Sequence, residues 1–336
     1  MNPIRAANDL PSPPDDIEKY LYLNSNKVFL YTFSITSFAL LIAGMWLFAL
    51  AHPTFYVYVA FTILISGYLT VSYIVGVFSK SFNFDRHLAV VSALKTTPLI
   101  DIYLPCCGED IAIIRNTYEW VSKLKYSNLK VYVLDDGGSS EVRAAAAGYQ
   151  FAYICRPNRG ELKKAGNLRH AFAITRGEFI VIFDADFCPR ADFIQETLPY
   201  FYHDPNIAIV QTPQYFQIRK GQTWVRKGAA YIQELFYRLI QVNRDYFDGS
   251  ICVGSNAMYR RKALEPFGGT AAIDYSEDVH TGFNVTKNGQ KVRYLPIVLA
   301  KGLCPDLLPG FFIQQYRWAM GSISFFSSLL LITSYR

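Results

Sequence analysis

Residues 181–189 read VIFDADFCP, an apolar run that ends in two aspartates one residue apart. On a strand, alternation sets the carboxylates of Asp184 and Asp186 on one side. Two hard oxygen donors there suit a divalent cation that keeps several waters and completes its shell with phosphate oxygens. Alone, the pair also fits a loop with two solvated aspartates. A second run, VYVLDDGGSS (131–140), ends in Asp135 and Asp136, followed by glycines that permit a tight turn and close backbone approach. Carboxylates placed so accept hydrogen bonds from a ribose or a base edge, and equally mark an ordinary strand–turn junction. Between these runs, RPNRGELKKAGNL (156–168) brings Arg159, Lys163 and Lys164 to the start of a helical pattern. Basic groups beside a helix N-terminus suit a diphosphate, or a solvated loop.

Three further stretches carry candidate groups. In IDYSEDVHTG (273–282), Glu277 and Asp278 fall just before or within the first turn of a helix. They fit capping or dipole roles there, or a general base taking a proton from an incoming hydroxyl. ICVGSNAMYRR (251–261) reads as a strand with a small-residue turn, and Gly254 and Ser255 would let a sugar approach the backbone. In FFIQQYRWAMGS (311–322), Gln314, Arg317 and Trp318 stand at i, i+3 and i+4 on one helical face. Arginine pairs with phosphate, glutamine adds a hydrogen bond, and the indole is a flat platform for a sugar ring. An interfacial anchor with a snorkelling arginine fits the same residues.

The elements that must hold these groups alternate. LIDIYLP (99–105), KVYVLDDGG (130–138), FAYICR (151–156) and EFIVIFDAD (178–186) are short β-branched and aromatic runs. Helical patterns such as 111–124 and 164–175 lie between them. This predicts an α/β domain on a mainly parallel, buried sheet, whose ligand site lies at the carboxyl ends of the strands. There is no internal repeat and no low-complexity tract.

Upstream the pattern differs. Residues 28–50 and 54–78 carry no charge, and each is long enough to cross a hydrocarbon core of about 30 Å as a helix. Only Ala-His-Pro separates them, so a transmembrane hairpin is expected. Lys19 and Lys27 precede it and Lys80, Arg86 and Lys95 follow, whereas the connecting loop has neither Lys nor Arg. The positive-inside rule then sets both ends, and the rest of the chain, in the cytoplasm. Across all 336 residues, 51% are hydrophobic and 18% charged, too apolar for an ordinary soluble enzyme and too charged for a pure membrane bundle. The net charge of +6 is scattered rather than in runs, which argues against nucleic-acid binding. The proline-bearing residues 1–20 read as poorly ordered. The six cysteines show no metal-site spacing and are expected to be small buried hydrophobes.

Taken together, DDGG, KKAGNL, DADF, SED and QQYRW, in that order after an apolar helix pair, resemble the processive, inverting family 2 glycosyltransferases, and among them the cellulose synthases most closely. The resemblance covers about residues 28–322. It implies a GT-A-type nucleotide-sugar-binding domain at 97–310. Before it would stand a polar tail (1–27) and the transmembrane pair (28–80), and after it an interfacial helix (311–336) that begins a further membrane region. Carried over residue by residue, Asp135 and Asp136 would bind the uridine part of a UDP-sugar and Lys164 would neighbour the nucleotide. Asp184 and Asp186 would hold UDP with Mg2+ (or Mn2+), and Asp278 would be the general base. Gln314 and Arg317 would contact the diphosphate, Trp318 would stack on the terminal sugar of the acceptor, and Gly254 and Ser255 would lie near that acceptor.

The activity so implied is polymerisation of a β-linked polysaccharide, β-1,4-glucan from UDP-glucose before chitin, hyaluronan, mannan or mixed-linkage glucan. A non-catalytic subunit of a synthase complex is the contrasting reading. The partners implied are the UDP-sugar, the growing glycan, the lipid bilayer of a plasma or inner membrane, and synthase-complex subunits. Two departures stand out. Ser276 replaces the threonine of T-E-D, and the sequence ends at Arg336, where the family continues with more transmembrane helices that build a polymer channel. A fragment, or a short synthase unable to form a channel alone, is expected.

Overall fold

A computed structural model describes residues 10–23, 27–78, 82–94, 96–218 and 221–334. Ten strands form among the described residues, and the β-branched and aromatic runs account for the long ones. They are β1 (Ile100–Cys106), β2 (Leu129–Asp135), β3 (Ala152–Ile154), β4 (Phe179–Ile182), β5 (Cys188–Pro189), β6 (Ile207–Gln211), β7 (Tyr215–Phe216), β8 (Ala257–Arg260), β9 (Lys291–Tyr294) and β10 (Ala300–Gly302). Seven make one sheet in the order β3-β2-β1-β4-β8-β6-β9, and β5-β10-β7 make a small second sheet. In the large sheet β3, β2, β1 and β4 run parallel, as do β6 and β9. Only β8 is antiparallel to its neighbours β4 and β6. The mainly parallel α/β reading therefore holds, with one reversed strand.

The sheet is buried on both faces, which is why its strands are apolar throughout rather than alternating. Ile100, Ile102, Leu104, Val131, Val133 and Val181 point to one side, against Ile114, Tyr118 and Val121 of the Ile111–Val121 helix and Phe193 and Phe201 beyond it. Tyr103, Leu134, Ile180, Ile182 and Tyr259 point to the other, against Leu168 and Ala171 of the Lys163–Ile174 helix and Val285 of the Glu277–Lys287 helix. These two helices start at the carboxyl edge of the sheet, so both deliver their first turns to one place.

Two helices, Lys27–Ala51 and Val57–Phe78, join through a short turn at Pro53–Phe55 and are long and apolar enough to cross a membrane. They are tied together by Trp46 Nε1 donating to Thr62 Oγ1 at 2.7 Å and by edge-on packing of Tyr31 on Tyr73. Their remaining surface is apolar and uncovered, with Phe33, Leu40, Leu47, Phe61 and Leu64 all exposed. Asn243 Nδ2 donates to Tyr31 Oη at 2.8 Å, which docks the hairpin on the rest of the chain.

The expectation of a poorly ordered N-terminus fails at residues 10–23; residues 1–9 lie outside the described residues. Asp15 caps a short helix, Asp16–Lys19, in a reciprocal capping box with Glu18. Lys19, 5% exposed, meets Asp192 at 2.7 Å and Glu196 at 2.6 Å, while Lys301 meets Glu18 at 2.6 Å. Charges that look like a solvated tail in sequence are partners of groups 173 to 283 residues away. Lys19 is thereby neutralised rather than displayed beside the hairpin, and Lys80 and Lys95 lie outside the described residues. The cysteine expectation holds for Cys106, Cys188, Cys252 and Cys304, but Cys107 is exposed and Cys155 half-buried, because both stand on loops beyond strand ends.

Candidate active site

The Asp135–Asp136 pair closes β2. Asp135 is buried, and its Oδ1 accepts from the amides of Gly137 (2.8 Å) and Gly138 (3.0 Å), its Oδ2 from Ser139 N–H (2.7 Å) and Tyr153 Oη (2.8 Å). A carboxylate has about four lone-pair positions, and this one spends them on three amides of its own loop and on Tyr153 of β3. Asp135 therefore shapes the turn. Asp136 accepts a two-pronged bond from Arg156, Nε at 2.6 Å and Nη2 at 2.7 Å, and a third from Gly160 N–H at 3.1 Å. Burial pushes its pKa up, but the guanidinium and the amide outweigh that and hold it below the usual carboxylate range. Arg156 also donates to the carbonyls of Glu161 (2.6 Å) and Lys163 (3.1 Å), and Arg159 donates to Gly137 O at 3.0 Å. The two loops at the ends of β2 and β3 are thus one rigid unit, held by an arginine that the sequence reading passed over for its neighbours Arg159, Lys163 and Lys164.

That unit sets the entry to the Lys163–Ile174 helix. Leu162 and Lys163 both take the left-handed conformation, φ +51° and +45°. This unusual entry sends the two lysines to different places. Lys163 lies over the Tyr275 ring at 3.5 Å. Lys164 turns inward, pairs with Asp184, and lies 4.0 Å from Glu277. Burial disfavours its charge, but Asp184 and Glu277 more than offset this and its pKa is raised.

Asp184 and Asp186 do not lie on a strand. β4 ends at Ile182, and the two aspartates occupy the turn before β5. The strand ends because it loses its partner: β1 pairs with β4 only through Tyr103–Ile182. The turn is fixed by Asp184 N–H donating to Ser255 Oγ at 2.9 Å and by Phe187 N–H donating to Asp184 O at 3.1 Å. The carboxylates still share one environment. Burial, and then the charge of Asp184, push the Asp186 pKa up to about 7.

Ser276 is also left-handed, φ +53°, so the Glu277–Lys287 helix starts abruptly, with Glu277 and Asp278 in its first turn. Neither caps the helix conventionally. Glu277 faces Lys164, while Asp278 Oδ1 accepts from its neighbour's amide, Val279 N–H, at 2.8 Å. Burial, then the charge of Glu277, push the Asp278 pKa up to about 7 against the opposing pull of Lys164. Gly254, φ +78°, lies against this carboxylate, where an added Cβ would stand 2.8 Å from Asp278 Oδ2. Ser255 and Asn256 are fully buried and brace the turn from below, with Gln211 donating to Ser255 O at 2.8 Å. Ser255 thus supports Asp184, and Gly254 is the residue that opens onto the site.

The QQYRW segment lies in a long helix, Leu308–Ser334. Gly321 of this helix packs directly on the Ser276 side chain. Gln314, Arg317 and Trp318 stand seven, four and three residues before Gly321, so they share the face that meets the Ser276–Asp278 turn. Arg317 and Trp318 are exposed and Gln314 half-buried.

Asp184 and Glu277 thus lie against Lys164, and the charges of Asp278 and Asp186 also reach it, an excess of carboxylates that fits a divalent cation. The donor set at the D-x-D turn is all hard oxygen, as Mg2+ or Mn2+ prefers. Among the described residues no third His, Cys, Asp or Glu joins Asp184 and Asp186 in a closed cluster. Any such ion would keep positions open for other oxygen ligands.

Residues 101–268 match the model of glycosyl transferase family 2. The chain belongs to that family. Among curated family relatives, it is 33% identical over 257 residues to "Cellulose synthase 2" of Novacetimonas hansenii, covering 73% of this chain and 16% of that protein. It is 31% identical over 272 residues to the "Cellulose synthase catalytic subunit [UDP-forming]" of Xanthomonas axonopodis pv. citri (strain 306), covering 78% and 35%. The chain thus spans about a third or less of the length of the curated relatives it matches. Among solved structures, a mannosyltransferase of Pyrobaculum calidifontis in complex with GDP-Man and Mn2+ shares the fold, with a TM-score of 0.57 at 18% identity, covering 78% of this chain and 73% of that one. The fold is GT-A.

Proposed function

We propose that this chain is the catalytic region of a membrane-bound synthase that polymerises β-1,4-glucan from UDP-glucose. The observation that carries the reading is that Lys164 ties the D-x-D turn to Glu277, in the helix turn that carries Asp278, where burial and the charge of Glu277 push the Asp278 pKa up to about 7. A general base is most effective with a pKa near the working pH. Asp278 takes the proton of the acceptor hydroxyl as its oxygen attacks the anomeric carbon. The bond from that carbon to the diphosphate breaks on the opposite face, and UDP leaves with the bonding pair. One displacement inverts an α-linked donor into a β-glycoside.

Asp184 and Asp186 would hold Mg2+ or Mn2+, which supplies charge neutralisation for the diphosphate. Arg317 and Gln314 would serve the same leaving group from the long helix, with Trp318 beneath the terminal sugar of the growing glycan. The Asp136–Arg156–Gly160 unit would shape the uridine end. The uncovered apolar hairpin supports anchorage in a bilayer, with the catalytic domain on the cytoplasmic side where nucleotide sugars are found, and with further synthase subunits as partners. The names of the curated relatives favour glucan over other β-glycans.

The test uses membranes carrying the protein, Mg2+, and UDP-glucose or UDP-N-acetylglucosamine in separate reactions. UDP release from UDP-glucose with a product digested by a β-1,4-glucanase is expected. Release from the other donor alone would keep the mechanism and change the sugar. No turnover with either would refute the catalytic reading in favour of a non-catalytic subunit.

A further inference from the structure

A cavity of about 670 Å³ lies away from the cluster just described, between the Phe84–Ser92 helix, the Pro199–His203 helix, the Gln241–Tyr246 helix and β9. Its place along the chain ties it to the hairpin. Phe82 and Asn83 on its wall come four and five residues after Phe78, the last hairpin residue. Four residues reach at most about 14 Å. Val242 and Tyr246 on the same wall flank Asn243, whose Nδ2 donates to Tyr31 Oη at 2.8 Å, four residues into the first hairpin helix. If the hairpin crosses a bilayer, as proposed above, this cavity opens at the level of the lipid head groups.

Its chemistry is divided. One side carries Arg86, whose Nη2 lies 3.3 Å from His203 Nε2. Among the described residues no carboxylate is within ion-pair distance of Arg86, so most of its donors are unspent. The other side carries three aspartates and Arg293. Asp245 is occupied by Arg293 (2.7 Å) and by Tyr294 N–H (2.7 Å), and Asp248 by Lys291 (2.9 Å). Asp204 accepts from Asn206 N–H at 2.9 Å, has no cation within ion-pair distance among the described residues, and interacts only at longer range with Arg260. Phe82 and Tyr246 supply aromatic surface at the same cavity. An unspent guanidinium, an unpaired carboxylate and an aromatic edge in one cavity are the complement of a zwitterion.

We propose that this cavity binds the head group of a phospholipid that carries a primary ammonium. The phosphodiester lies on Arg86 and His203, since a guanidinium fork matches phosphate oxygens. The ammonium lies on Asp204, to which it donates hydrogen bonds. A choline head group has no N–H to give Asp204, and a glycerol head group has no cation.

The experiment inserts the full chain into nanodiscs of equal parts phosphatidylethanolamine, phosphatidylcholine and phosphatidylglycerol. The protein is then released with mild detergent, and the lipids it retains are counted by native mass spectrometry. Phosphatidylethanolamine should exceed each of the others by about tenfold, the size of one charge-assisted hydrogen bond. Arg86→Ala should return all three to the bulk ratio. Asp204→Asn should equalise ethanolamine and choline lipids while both stay bound. Both variants should keep the wild-type unfolding temperature and UDP release, because neither residue touches the cluster around Lys164. Millimolar O-phosphoethanolamine should leave the lipid in place. Its displacement of the lipid would assign the cavity to a soluble phosphate ester instead. Retention at the bulk ratio, preference for the anionic lipid, or unchanged retention in Arg86→Ala would overturn the proposal. A chain that never enters the nanodiscs would overturn the membrane reading beneath it as well.

Discussion

Gly321 is where the long helix rests on the turn that carries Asp278. A methyl group there would fall well inside contact distance of the Ser276 side chain, and would lie 3.6 Å from Ser276 Cα. Ordinary contacts between such atoms begin at about 3.5 Å, so Gly321→Ala requires the helix to withdraw by roughly 1–2 Å. Arg317 and Trp318 stand one turn away on the same face and move with it. Misplacement of reacting groups by about 1 Å costs on the order of 100-fold in rate. Gly321→Ala should therefore lower UDP release by about 100-fold, with little change in unfolding temperature, because the contact lies outside both core layers of the sheet. Ser276→Gly supplies the compensating change. It removes the obstructing side chain and suits a left-handed position, φ +53°. The double variant should recover most of the lost rate in a double-mutant cycle. Full activity in Gly321→Ala, or a double variant no better than the single one, would refute the coupling of this helix to the Asp278 turn.

Glu277→Gln removes the charge that, after burial, does most to raise Asp278. Two charges several ångströms apart interact by roughly 1–3 kcal/mol at a protein's effective dielectric. The acid limb of the pH–rate profile should therefore move down by about 1–2 pH units, whereas Lys164→Met should move it up; an unmoved limb in both would remove Asp278 as the titrating base. Arg156→Ala leaves Asp136 buried without its fork and should destabilise the fold by about 3–5 kcal/mol in urea unfolding. Because the folded pKa of Asp136 is depressed, the wild-type advantage should be complete above about pH 4 and shrink as the pH falls through the folded value. A constant difference down to acid pH would contradict that pairing. Chelation by EDTA should abolish UDP release, and Mg2+ or Mn2+ should restore it in wild type at lower concentration than in Asp184→Asn.

The sheet was legible because parallel strands buried on both faces are continuous apolar runs, and these stand out between helical patterns. The reversed strand β8 was partly hidden. Its short apolar stretch follows the Gly254–Ser255–Asn256 turn, and strand direction leaves no mark on composition. The site was legible as a set of carboxylates at strand ends, but the division of labour was not. Asp135 and Asp136 are adjacent and chemically identical in sequence, yet one staples its own loop and the other is gripped by Arg156. Lys163 and Lys164 part because two consecutive residues are left-handed, a conformation that leucine and lysine do not advertise. The N-terminal segment misled for a related reason. Prolines and charges mark disorder when no partner is in view, and the partners of Lys19 and Glu18 are far along the chain.

The most direct test compares Asp278→Asn with wild type in membranes, measuring UDP release from UDP-glucose alongside UDP affinity. Loss of a general base at an intact site predicts a fall in turnover of about 100- to 10,000-fold, with UDP affinity within about twofold of wild type. Turnover near the wild-type rate in Asp278→Asn would contradict the account.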